Sequence, residues 1–127
     1  MDIGNCYQKN ALELAYVGDA VFSLMVREYL VNNYNSSLSV LNKKANAVVC
    51  APNQARIMQE IEANLTNQEK DIAMRARNSH TNNKAKNSTF AQYHLATEFE
   101  AVIGFWYLTK NNKKLEEIFK NYVVGEL

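Results

Sequence analysis

The stretch "ELAYVGDAVFSLMVREYL", residues 13–30, decides the fold. It reads as one helix except at two adjacent positions. Gly18 is a poor helix former, and Asp19 is a charge among Tyr16, Val17, Ala20, Val21 and Phe22. At about 3.6 residues per turn, Leu12, Ala15, Asp19, Phe22 and Val26 share one face. The spacing therefore predicts an apolar, core-facing stripe interrupted by a single acid. The stretch "TFAQYHLATEFEAVIGFWYLTK", residues 89–110, repeats the pattern. Tyr93, Ala96, Glu100, Ile103 and Tyr107 share a face, again with one acid and with Gly104 nearby.

Working outward, the rest of the chain also reads as helices. A first helix is expected from about Lys9 to Val31. A second starts near Ser37, with Leu38, Leu41, Ala45 and Val48 at helical spacing. A third begins at Ala51-Pro52, where proline is tolerated in the first turn. A fourth opens on the capping box Thr66-x-x-Glu69 and runs to about Arg77. The polar segment "NSHTNNKAKNS", residues 78–88, predicts an exposed loop before the long fifth helix, and "KKLEEIFKNYVV" predicts a short last one. One proline and four glycines argue against a turn-rich β fold. The expectation is an all-α fold, five to seven helices around two long core helices, in a single domain over residues 1–127.

Composition narrows the function. Apolar residues make up 47% and charged residues 21% of the 127, which suits a globular domain. No apolar run approaches the roughly 20 residues that cross a bilayer, and no basic n-region precedes an apolar stretch as in a signal peptide. Two cysteines without CxxC spacing predict no disulfide framework and a cytoplasmic location. A net charge of +1 leaves polyanion binding to a local patch.

The matching acids admit two readings. Buried carboxylates facing each other repel, and a divalent cation between them resolves both burial and repulsion. Hard oxygen ligands suit Mg²⁺, with Mn²⁺ as a substitute. The glycines would let the two helices approach closely. Equally, a lone acid on an apolar face can be a structural ion pair, and a helix glycine a packing contact. Glu13 and Glu98 point away from these stripes and are expected on the surface.

At these residues the sequence resembles a known family. "AYVGDAVFSLMVREYL" resembles the signature helix of the ribonuclease III catalytic domain, and "ATEFEAVIGFWYL" resembles that family's second acidic motif, an acid followed by Ala-x-x-Gly. The match is nearest to the short branch without a double-stranded-RNA-binding domain, and "RARN", Arg75 to Asn78, fits that branch. The larger family also places acids at the positions of Leu12, Ala15 and Thr97, so only Asp19 and Glu100 carry over.

The resemblance implies a ribonuclease III-like endonuclease with Asp19 and Glu100 as catalytic and metal-holding residues. It implies a homodimer that cuts both strands of double-stranded RNA, leaving 5′-phosphate and 3′-hydroxyl ends. The substrate implied is the precursor of the large-subunit (23S) ribosomal RNA. RNA would be gripped by the basic loop region: Arg75, Arg77, Asn78, Lys84 and Lys86, with His80 beside them. The rival expectation is a non-catalytic RNA-binding module of the same fold. His94 is expected to be a core histidine, and Phe105, Trp106 and Tyr107 to be core or dimer contacts.

Overall fold

The computed structural model describes residues 1–79 and 89–127. Among them are seven α-helices and no strand: α1 (Ile3–Tyr7), α2 (Ala11–Asn33), α3 (Leu38–Val49), α4 (Ala51–Ile61), α5 (Asn67–Asn78), α6 (Phe90–Leu108) and α7 (Asn112–Tyr122). Short 3-10 turns follow α4 and α7. No helix of the described residues is long and apolar enough to cross a membrane.

Local chemistry sets the helix starts. Asn10, Ser37, Thr66, Thr89 and Asn111 each accept a backbone N–H in the first turn of the helix they precede. The predicted Thr66–Glu69 capping box forms, and Thr89 with Gln92 makes another. α4 has no side-chain cap and instead carries Pro52 in its first turn.

α6 is the centre of the fold. From Ala96 to Trp106 it is buried at every position except Glu100, which is half-buried. A helix that apolar all round is stable only when other helices enclose it. α2, α4 and α5 do so, and α7 covers its C-terminal end. Phe22 of α2 meets Phe99 of α6 edge-to-face at 5.1 Å, in a core shared with Leu14, Val26, Ile57, Met58, Ile72 and Val102.

This enclosure corrects one expectation. Glu98 is not on the surface but 2% exposed. A residue turned away from the core stripe faces solvent on a surface helix, but α5 covers that side of α6. Arg77 of α5 donates Nε and Nη2 to the two Glu98 oxygens, each at 3.2 Å. Burial still pushes the Glu98 carboxyl above its ordinary value, against the pull of Arg77.

Candidate active site

The two long helices touch backbone to backbone. A Cβ on Gly18 would stand 1.7 Å from the Glu100 carbonyl oxygen and 2.9 Å from the Gly104 nitrogen. A Cβ on Gly104 would stand 1.9 Å from the Leu14 carbonyl oxygen. Both positions therefore exclude any side chain, which accounts for two glycines in the middle of long helices despite their poor propensity. The crossing brings the residue after Gly18 beside Glu100.

The two acids meet, though not as the stripes implied. Asp19 is exposed, at the rim of the crossing, and only Glu100 is drawn inward. The reason is angular: Gly18 faces α6 directly, and Asp19 lies about 100° further round α2. The Asp19 carboxyl lies near enough to the Glu100 carboxyl to act on its proton. Burial, with the neighbouring Asp19 carboxyl, pushes the Glu100 carboxyl up to about 9. The amide of Gln54, on α4, pulls the other way.

Such a pair does one of two things. It shares a proton, or it exchanges that proton for a cation. The donor set, one accessible and one inward carboxylate oxygen group, fits a hard divalent ion that keeps most of its water. Among the described residues no third histidine, cysteine or acid joins the pair into a larger ligand cluster. Glu13 is exposed, as expected.

The expected RNA-binding residues divide. Arg75 is engaged inside the fold: Nη2 donates to the Tyr7 carbonyl at 2.7 Å, Nη1 to that of Lys9 at 3.2 Å and Nε to Asp71 at 3.1 Å, with the guanidinium over the Tyr7 ring. It ties α1 to α5. Arg77 is held by Glu98. Asn78 ends α5 with its side chain exposed. His80, Lys84 and Lys86 lie outside the described residues. His94 is half-buried, its ring edge-on to Phe90. Phe105 and Trp106 are buried, whereas Tyr107 is half exposed.

Sequence reasoning missed Gln54, which is 2% exposed. A signal existed: Gln54 heads the apolar stripe Ile57, Met58 and Ile61, the one polar residue on that face.

Comparison with known proteins agrees with the fold and the motifs. The family described as the ribonuclease III domain matches residues 12–111. Mini-ribonuclease 3 of Clostridium tetani is 40% identical over 114 residues, 89% of this chain and 76% of that protein. Mini-ribonuclease 3 of Enterococcus faecalis is 39% identical over 113 residues, 87% of this chain and 86% of that protein. A crystal structure of a Fusobacterium nucleatum protein superposes with a TM-score of 0.86 at 34% identity, covering 94% of this chain and 96% of that one. The chain therefore belongs to the ribonuclease III family, in its Mini-ribonuclease 3 branch, and is an endoribonuclease.

Proposed function

We propose that this endoribonuclease hydrolyses double-stranded RNA with a divalent cation, Mg²⁺ or Mn²⁺ in its place, held by Asp19 and Glu100. The observation that carries the reading is the Gly18–Gly104 crossing, which sets an inward and an accessible carboxyl side by side. A bound cation would polarise the scissile phosphate and sharpen a water as nucleophile. Glu100 anchors the site from the interior, and Asp19 meets the substrate side from the rim. The helix crossing keeps both from moving as charge develops on the phosphate.

A twofold assembly belongs to the same reading. Tyr16 and Leu24 of α2 are 83% and 60% exposed, and Tyr107 of α6 lines a recess with them. Tyr16, Leu24 and Tyr107 surround Asp19 in one open apolar recess. An apolar face of this kind is a contact surface. A second copy on it would put two Asp19–Glu100 pairs on one duplex, whose strands are related by local dyads. The catalytic unit is then residues 1–127 paired with itself. Lys84, Lys86 and Asn78 are the remaining candidates for phosphate contact, since Arg75 and Arg77 are engaged within the fold. The expected substrate is the large-subunit ribosomal RNA precursor in the cytoplasm, cut to 5′-phosphate and 3′-hydroxyl ends.

The test is cleavage of a long double-stranded RNA with Mg²⁺ and with EDTA, wild type beside Asp19→Asn, both checked by circular dichroism. Wild-type cutting that needs Mg²⁺ and is lost in the folded variant is expected. Cutting that persists in EDTA, or equal cutting by Asp19→Asn, would overturn the site.

A further inference from the structure

The four arginines of the chain are not alike. Arg56 pairs with Glu60 and Glu126, Arg75 with Asp71, and Arg77 with Glu98. Arg27 of α2 is exposed and makes no ion pair or side-chain hydrogen bond among the described residues. It lines a mostly apolar recess with Leu30, Val31, Leu38 and Leu41. Glu13, near the other end of α2, is also exposed and also without an ion pair among the described residues.

Both charges lie on the apolar face of α2. At about 100° per residue, Glu13, Tyr16, Ala20, Leu24 and Arg27 fall within about 40° of the line through Ala20. All five are exposed. They are spaced three, four, four and three residues apart, the seam along which two helices pair. Counted from Ala20, the spacing is the same in both directions. A twofold partner lying antiparallel, with its dyad at Ala20, therefore meets this stripe residue for residue. Glu13 meets the partner's Arg27, Tyr16 meets the partner's Leu24, and Ala20 meets the partner's Ala20. Ala20 is the smallest side chain of the stripe and lets the backbones approach at the centre. A slide of one turn either way breaks both charge contacts. Asp19 stands about 100° from the line through Ala20, and the dyad keeps its two copies on one side of the helix pair.

We propose that two copies of the chain pair through α2, antiparallel about Ala20, with Glu13 of each copy in an ion pair with the partner's Arg27. The inference rests on the twofold assembly proposed above and adds its register. The contact is isologous, so the ion pair is made twice.

The test is sedimentation equilibrium of the whole chain at low salt. Wild type is compared with Glu13→Arg, Arg27→Glu and the double variant that carries both. Each single swap sets like charges together at both ends of the helix pair and should weaken the dimer about tenfold or more. The double variant restores opposite charges and should return to within about threefold of wild type. Glu13→Arg also loses the acid of the first turn of α2. The double variant carries the same loss, so its recovery reports the pair. A double variant as weak as the single swaps would overturn the inference, as would unaltered dimers in both single swaps. So would loss of RNA binding in Arg27→Glu with its dimer as in wild type, which would make Arg27 a phosphate contact. A wild type that is monomeric would overturn the twofold assembly itself, and the register with it. If a single swap does not fold, Ala20→Cys is oxidised in a Cys50→Ala background, where Cys6 is buried. A covalent dimer is expected, because the two positions meet on the dyad. Glu28→Cys, about 80° further round α2, should give none. Failure of Ala20→Cys to cross-link would overturn the inference.

Discussion

The Glu100 carboxyl holds its proton to a pH of about 9 because it is half-buried beside another acid. Its ordinary value is 4.5. The folded chain therefore binds this proton more tightly than the unfolded one. Without metal, the stability it contributes is complete below about 4.5 and is lost as pH rises toward 9. Glu98 is raised as well and acts in the same direction. In EDTA the melting temperature should fall between pH 5 and 9, a window taken from these shifts. Glu100→Gln should flatten much of that slope and be the more stable protein at alkaline pH. A slope unaltered by the substitution would refute the account. Cation binding must displace the proton, so Mg²⁺ affinity should rise with pH, and calorimetry in buffers of different ionisation enthalpy should show protons released.

The crossing of α2 and α6 is decided by two missing side chains. Alanine at Gly18 gains about 1 kcal/mol in helix propensity, yet its Cβ meets a backbone carbonyl that cannot rotate away. Gly18→Ala should destabilise the protein by about 3 kcal/mol or more in urea denaturation and should abolish cleavage, since the acids separate when the helices do. Gly104→Ala should behave alike. Wild-type stability in either variant would mean that the helices are not in contact. The Arg77–Glu98 pair joins α5 to α6 in a different way. Removing Arg77 leaves a carboxylate in the core without its partner, at a cost of about 2–4 kcal/mol, discounted because Arg77 itself is half exposed. The double variant Arg77→Met with Glu98→Gln should recover much of that loss. Failure to recover any would show that the arginine matters for some other contact.

Assembly is a property of the whole molecule. The apolar face of α2 carries its most exposed large side chains next to Asp19. Leu24→Glu should leave the fold intact by circular dichroism and halve the mass seen by analytical ultracentrifugation. Cleavage of duplex should then fall, although Leu24 is not among the candidate ligands. A dimer mass that survives the substitution would mean that this face is not the interface, and a monomer mass in the wild type would overturn the twofold assembly.

Much of this was legible in the chain itself, for a local reason. Helix periodicity, the Thr66–Glu69 capping box, and the pairing of one acid with one glycine in each long helix depend on residues a few positions apart. Their physics is that of a single helix. Tertiary structure alone decided which side of each helix meets another. It exposed Asp19 by turning Gly18 toward α6, and buried Glu98 by laying α5 over it. It tied Arg75 to α1 and Arg77 to Glu98, and buried Gln54 of a separate helix. Such outcomes depend on the crossing of distant segments, where burial and partner distance set the charge, reach and role of a side chain that its own neighbours in the chain leave open.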